Sequence, residues 1–191
     1  VRLLADTISA DAYNAQISVD GRFVSFVSES ADLVVGDTNG ASDIFVRDRQ
    51  NGITVRVNYD PNDPRTQNGA GEYLFSDDLN WLVFGIPTQP PSALGYNFLL
   101  RNVQTGQTFT GQGFLGGLSP DGRYVSYWQG GDPARAYLFD RQTNRILDLA
   151  PTSNGHSIAW RFSPDGSLVY FYSEASNLVP NDNNAVGDVF T

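Results

Sequence analysis

A short turn signature recurs along the chain and constrains its fold more than any other feature. Its copies occupy residues 18–22, 76–80, 119–123 and 163–167. The last two copies read Ser-Pro-Asp-Gly, in which proline presets φ for a type I turn, aspartate caps the turn, and glycine takes the left-handed position that closes a hairpin. The second copy is degenerate, because Leu79 replaces the glycine. The aspartates of successive copies are 58, 43 and 44 residues apart, a period typical of repeat proteins.

Runs of strand type follow each turn. The first run is aromatic and β-branched, and its copies occupy residues 23–27, 81–85, 124–128 and 168–172. A third strand is predicted at residues 44–47, 97–101, 136–139 and 188–190, and a fourth at residues 54–58 and 145–149. Four short antiparallel strands per repeat are the pattern of a propeller blade. The sequence therefore predicts one all-β domain, a β-propeller of four blades at about residues 15–58, 71–110, 112–149 and 157–191.

The two ends of the sequence complement each other. Residues 1–6 resemble residues 55–60, which belong to a fourth strand, and the last repeat reaches only its third strand. We expect residues 1–6 to complete the last blade and close the ring, which would hide two sheet edges. Two alternatives stay open. The chain is a fragment of a larger propeller, or residues 1–6 complete the last blade of a neighbouring chain and build an oligomer by strand addition.

Three features of these repeats carry a family resemblance. They are the Ser-Pro-Asp-Gly-Arg turn, the strand at residues 44–48 and the loop at residues 36–40. All three resemble the TolB-type, WD-repeat-like propeller repeats of bacterial envelope and secreted proteins. The resemblance covers nearly the whole chain and is strongest in the first and last blades. It implies a binding scaffold, often extracytoplasmic, without catalysis of its own.

Two loops, at residues 28–43 and 173–188, match each other closely and are called here the first and second acidic loops. Each contains the pattern Asp-X-Asn-X-X-X-Asp, formed by Asp37, Asn39 and Asp43 in the first loop and by Asp182, Asn184 and Asp188 in the second. Ca²⁺ takes about six to eight oxygen ligands from carboxylates, carbonyls and water. The sequence therefore predicts calcium as a bound ion that stiffens both loops, and the resemblance adds weight, because related repeats often bind calcium. Simple capping of turns by these side chains remains the alternative.

Composition excludes several classes of function. All twelve basic residues are Arg, there is no Cys, and the net charge is −9. The chain therefore has no cysteine nucleophile, thiolate metal site or Schiff-base lysine. Its negative charge argues against nucleic-acid partners, and no apolar run approaches the length of a membrane span. Residues 155–159 imitate a nucleophile elbow, but the single His156 lies inside the motif and no helix is predicted to follow.

These observations favour a protein that is not an enzyme. We expect a secreted or envelope-associated propeller, extracellular or periplasmic, that binds a protein partner or assembles with itself. The alternatives are an accessory propeller of a larger hydrolase or surface protein, and a glycan-active enzyme with paired carboxylates. A glycan ligand is compatible with the scaffold and with both alternatives.

Overall fold

The computed structural model describes residues 9–59, 66, 69, 72–86, 96–184 and 186–191. Fifteen strands form four antiparallel sheets in these residues, and the order of the strands within each sheet follows the sequence. The all-β propeller architecture predicted from the turn repeats is confirmed. Residues 1–8 lie outside the described residues, and so does the predicted closure of the ring by residues 1–6.

Each repeat supplies one sheet. Sheet 1 contains β1 (Ala12–Ile17), β2 (Phe23–Ser28), β3 (Asp43–Asp48) and β4 (Ile53–Arg56). Sheet 2 contains β5 (Tyr73–Phe75), β6 (Trp81–Ile86), β7 (Asn97–Asn102) and β8 (Thr108–Gln112). Sheet 3 contains β9 (Phe114–Leu118), β10 (Tyr124–Gln129), β11 (Arg135–Asp140) and β12 (Arg145–Asp148). Sheet 4 contains β13 (Ser157–Phe162), β14 (Val169–Ser173) and β15 (Asp188–Phe190).

The four repeated turns share one hydrogen-bonded clamp. In each, the serine hydroxyl donates to Oδ1 of the aspartate two positions later, at 2.6 Å. The same serine oxygen accepts the backbone N–H of the residue five positions later, at 2.8 to 3.0 Å. The four serines are buried, whereas the four aspartates that they bind are exposed at the surface. The clamp fixes where the second strand of every sheet begins.

The second turn keeps this geometry although it lacks the glycine. Leu79 adopts a φ of 55°, in the left-handed region, and its side chain is buried. The degenerate sequence therefore does not give a degenerate turn. Burial of the leucine side chain offsets the steric cost of a positive φ.

Backbone hydrogen bonds also join one turn to the next. The N–H of Val19 donates to the carbonyl of Asp77, and the N–H of Asp77 donates to the carbonyl of Pro120. Proline has no N–H, so Pro120 cannot donate to the fourth turn. At the fourth turn, the ring of Pro120 packs against Gly166 instead. Its Cδ and Cγ atoms lie within 3.6 Å of the position that a Cβ on Gly166 would take.

The core consists of three clusters, each between successive sheets. The first joins sheets 1 and 2 around Val27 and Phe84, the second joins sheets 2 and 3 around Val83 and Tyr127, and the third joins sheets 3 and 4 around Ala136 and Phe171. In the described residues, no cluster joins sheet 4 to sheet 1. Among the described residues, the outward face of sheet 4 therefore packs against no further sheet, unlike the corresponding faces of the other three sheets.

Removing one turn serine tests the clamp. We expect Ser119→Ala to lower the free energy of unfolding by about 1–3 kcal/mol, because it removes a buried hydroxyl and deprives the N–H of Tyr124 of its acceptor. The matched control is Ser176→Ala, whose exposed hydroxyl accepts only from Asn154 and should change stability by less than about 0.5 kcal/mol. Urea unfolding of both variants measures the difference, and equal losses would contradict a structural role for the clamp.

The clamp also predicts a pH dependence. The Ser163 hydroxyl and the N–H of Ser167 lower the pKa of Asp165 to about 2, and the Ser18 hydroxyl lowers the pKa of Asp20. A folded-state pKa below that of the unfolded chain gives stability that is complete above about pH 4 and is lost as the pH falls toward 2. We expect the urea midpoint to fall over this range, and to fall less in Ser163→Ala. A midpoint that stays constant from pH 5 to pH 2 would contradict the account.

Candidate functional site

The first acidic loop folds its carboxylates around an arginine from another strand. Arg56, the last residue of β4, donates from Nη1 to Oδ1 of Asp37 at 2.6 Å and to Oδ2 of Asp43 at 2.9 Å. Asn39 donates from Nδ2 to the same Oδ2 of Asp43 at 3.0 Å. The loop places the three predicted residues together, with a guanidinium nitrogen between the two carboxylates.

This cluster is shielded from solvent. The side chains of Asp43, Asp37 and Arg56 are 0%, 5% and 7% exposed. Burial raises the pKa of Asp37, and the adjacent Asp43 adds to the rise, whereas the charge of Arg56 opposes it. Two carboxylates at this depth require a compensating cation, and Arg56 supplies it.

Asn58 completes the first cluster from the residues that follow β4. Its Nδ2 donates to Oδ1 of Asp43 at 2.7 Å, and its Oδ1 accepts the N–H of Ile44 at 2.9 Å. Arg56 also stacks on the ring of Tyr59, with 3.9 Å between Cζ and the ring centroid. Arg56 of β4 and Asn58 after it therefore hold the acidic loop to sheet 1, through an ion pair and an amide hydrogen bond.

The second acidic loop repeats part of this arrangement, and Ala185 within it lies outside the described residues. Asn184 donates from Nδ2 to Oδ2 of Asp188 at 3.2 Å, as Asn39 does to Asp43. The oxygen of each asparagine accepts a backbone N–H two residues later, at 3.1 Å. Asp182 and Asp188 are only partly buried, in contrast to Asp37 and Asp43.

The two loops differ in what faces their carboxylates. Sheet 1 supplies Arg56 from its fourth strand, whereas sheet 4 has three strands in the described residues. Within those residues, no ion pair involves Asp182 or Asp188. The second acidic loop thus has the two carboxylates of the arrangement seen in sheet 1 but, in the described residues, no guanidinium between them.

Calcium remains a prediction for both loops. In the first, the carboxylates converge on a guanidinium nitrogen, and the asparagine presents its N–H rather than its oxygen to the carboxylate. Ca²⁺ is coordinated by oxygens, so the N–H groups of Arg56 and Asn39 at these carboxylates do not fit Ca²⁺ while Arg56 is in place. In the described residues, no group of three or more acidic or histidine side chains has an arrangement suited to a metal ion.

Chelation tests the calcium prediction directly. A bound ion that stiffens the loops would make the melting temperature fall on addition of EDTA, and Asp37→Ala combined with Asp182→Ala should abolish that sensitivity. Differential scanning calorimetry in calcium and in chelator measures both effects. An unchanged melt of the natural sequence in chelator would contradict calcium binding.

Arg56 is expected to be the most sensitive charged residue of the first sheet. Arg56→Ala leaves two buried carboxylates without their cation and should destabilise the fold by roughly 3–5 kcal/mol near pH 7. The loss should shrink on acidification, because protonated carboxyls need no cation.

Two further variants make the Arg56 prediction decisive. Arg56→Lys, which keeps the charge, should be intermediate, and the exposed Arg145→Ala should change stability by less than about 0.5 kcal/mol. Urea unfolding at pH 7 and pH 4 compares them. An Arg56→Ala variant as stable as Arg145→Ala would show that the buried carboxylates do not depend on the guanidinium.

The residues that imitate a nucleophile elbow have structural surroundings. Ser157 is buried at the start of β13, and its hydroxyl lies 3.2 Å from that of Ser153 and 2.9 Å from that of Ser173. His156 directly precedes β13, and its Nδ1 accepts the N–H of Ala134 at 2.9 Å. A strand, not a helix, follows the motif, so the geometry does not favour the serine chemistry of an elbow.

Arginine and aspartate also pair at strand ends, but between different partners than sequence adjacency suggests. Arg47 and Arg49 flank Asp48, yet Asp48 binds Arg22 of the turn, at 2.7 Å. In sheet 3, Arg123 of the turn and Asp140 form the equivalent ion pair. These guanidinium groups hold the pKa of both carboxyls well below the usual range.

The chain was compared with known proteins. Its sequence matches no protein-family model and no curated protein sequence. Among solved structures it is similar to a TolB from Agrobacterium tumefaciens, with 16% identity and a TM-score of 0.52 over 91% of this chain and 58% of the other. It is also similar to a puromycin hydrolase, with 12% identity and a TM-score of 0.52 over 94% of this chain and 26% of the other.

A hydrazine synthase from Kuenenia stuttgartiensis matches with 15% identity and a TM-score of 0.47, over 85% of this chain and 49% of the other, a score too low to carry an argument. The chain thus spans between about a quarter and somewhat over half of the length of these three structures. At these identities the similarity shows the fold alone, and that fold is a β-propeller, with TolB among its structural neighbours.

Proposed function

We propose that the chain is a propeller scaffold without catalysis of its own, extracellular or periplasmic, that associates with protein surfaces through sheet 4. The observation that carries the proposal is the exposed outward face of this sheet. Corresponding positions in sheets 1, 2 and 3 pack against the next sheet and are buried there, as with Val27, Val83 and Ala136.

The outward face of sheet 4 has the composition of a binding surface. Trp160, Leu168 and Val189 are 47%, 45% and 56% exposed. The rings of Trp160 and Tyr172 stack with centroids 6.2 Å apart. Aromatic side chains with one exposed face are enriched at protein interfaces, and clustered exposed apolar residues mark interaction sites.

This face also contains a shallow cavity. About 400 Å³ of space lies between Trp160, Arg161, Tyr170 and Val189, beside Gly116 of β9. A volume of this size is large enough to receive side chains of a partner. An apolar floor with one flanking arginine supports binding of a protein.

The other readings of the sequence stay predictions. The match to a hydrolase concerns the fold, so it adds nothing in favour of an accessory module of an enzyme. Glycan chemistry would need two carboxylates about 5 to 10 Å apart across an open cleft. Asp37 and Asp43 do not form such a pair, because both are buried against Arg56. No helix in the described residues has the length and apolar character needed to cross a membrane.

Self-association is the form of this binding that can be measured without an identified partner. We expect the chain to self-associate with increasing concentration, and Val189→Asp to abolish this, because it places a charge in the apolar face. Val35→Asp is the matched control, since Val35 is fully exposed in the first acidic loop. Sedimentation velocity compares the three proteins. A natural sequence that stays monomeric, or equal effects of the two variants, would contradict association through sheet 4.

A further inference from the structure

We propose that a polar crevice between β1 and β5, the first strands of sheets 1 and 2, binds a neutral saccharide without cleaving it. The crevice has a volume of about 430 Å³ and is lined by Asn14, Ala15, Gln16, Glu72 and Tyr73. The first core cluster joins these two sheets, so the crevice lies between sheets that pack directly against each other. It is separate from the face of sheet 4 and does not rest on the association proposed there.

Side chains on β1 keep the two strands apart. Between sheets 3 and 4, β9 comes close to β13 because Gly116 and Gly117 have no side chains. A Cβ at either position would lie within 2.9 Å of a carbonyl oxygen of β13. In β1 the corresponding positions are Ala15 and Gln16, which stand in the same register to β2 as the two glycines to β10. The same close approach is therefore closed to β1, and a gap is left beside β5.

A buried hydroxyl reflects this separation. Ser126 of β10 donates from Oγ to the carbonyl of Trp160 in β13, at 2.7 Å, across the interface of sheets 3 and 4. Ser25 has the matching position in β2, is 0% exposed and has no hydrogen-bond partner in the described residues. Among those residues, β1 and β5 are joined by one long hydrogen bond, from the Tyr73 hydroxyl to the carbonyl of Asn14 at 3.4 Å. The inner ends of sheets 1 and 2 thus leave room for a ligand.

The backbone fixes the polar side chains of the crevice. Glu72 directly precedes β5, and its carbonyl accepts the N–H of Gly85 at 2.8 Å. Asn14 has a φ of 53° within the bulge of β1 between Tyr13 and Gln16. Such a conformation costs free energy and is common where a strand aims a side chain at a ligand. Asn14, Gln16 and Glu72 are exposed, and in the described residues their side chains form no hydrogen bond.

These groups match hydroxyls better than ions. The carboxamides of Asn14 and Gln16 each donate and accept, and the carboxylate of Glu72 accepts. A sugar hydroxyl also donates and accepts, so sugar hydroxyls can pair with all three side chains. A cation only donates and would leave the carboxamide N–H groups unpaired, whereas an anion would be repelled by Glu72.

The crevice suits binding rather than cleavage. Among its described lining residues, Glu72 is the one carboxylate, whereas glycoside hydrolysis ordinarily uses a pair of them. The volume falls within the range of small-molecule sites, about 300–1,000 Å³. The polar lining indicates recognition through hydrogen bonds.

NMR titration of the ¹⁵N-labelled chain tests the site. The probes are the neutral oligosaccharides cellohexaose, maltohexaose, mannohexaose and N-acetylchitohexaose. We expect at least one of them to shift the side-chain amide signals of Asn14 and Gln16. Its affinity should fall about fivefold in Gln16→Ala, which removes one hydrogen-bonding group. Gln50→Ala, at an exposed glutamine of a turn, is the matched control and should leave the affinity unchanged.

Two further probes separate the classes of ligand. Spermidine represents a cation and inorganic phosphate an anion. Saccharide binding should be insensitive to added salt, because a neutral ligand is not screened, and should persist, weakened, in Glu72→Gln. Binding of spermidine that is lost in Glu72→Gln and in salt, with no response to any saccharide, would overturn the saccharide in favour of a cationic ligand.

The remaining outcomes decide the proposal. Absence of a response to all four saccharides overturns it, and so does saccharide binding of equal affinity in Gln16→Ala, because the sugar would then bind elsewhere. Urea unfolding of Gln16→Ala and Glu72→Gln checks that both variants remain folded. Self-association and its loss in Val189→Asp are measured separately, so either proposal can fail while the other stands.

Discussion

A buried serine hydroxyl, held between an aspartate and a backbone N–H, sets the geometry on which the rest of the fold depends. Because it binds the residue at or directly before the start of the second strand in each sheet, it also fixes which side chains of that strand face one way and which face the other. Val83 and Tyr127, for example, meet across the interface between sheets 2 and 3 for this reason. A slip of one residue would exchange the two faces and expose the apolar clusters.

The acidic loops show how one sequence pattern can have two structural outcomes. In sheet 1 the pattern is buried, and a guanidinium from the fourth strand balances its charge. In sheet 4 the same pattern lies beside β15 and is only partly buried, so its carboxylates cost little because water solvates them. The difference comes from the fourth strand rather than from the loops, whose internal hydrogen bonds are alike.

Much of the fold could be predicted from the sequence because its signals are local. Turn chemistry and strand-type runs placed β2, β3 and their equivalents within two residues of the observed bounds. The partners of Asp37 and Asp43 could not be predicted, since Arg56 and Asn58 are 13 to 19 residues away from the carboxylates they bind and no local pattern links them. The signal that could have found them is the placement of Arg and Asn two residues apart at the end of a fourth strand. At Leu79 the sequence predicts a degenerate turn, but the turn keeps its geometry. Burial of the leucine side chain supports a positive φ that leucine disfavours.

The central claim is that β4 completes the outer edge of sheet 1, whereas in the described residues sheet 4 ends at β15. Amide hydrogen exchange followed by NMR tests it most directly, by comparing Ile44 with Val189 in the monomeric chain. The account predicts strong protection at Ile44, whose N–H is bonded to Asn58, and exchange at Val189 close to that of a solvent-exposed amide. Equal and strong protection at both positions would contradict an open edge on β15.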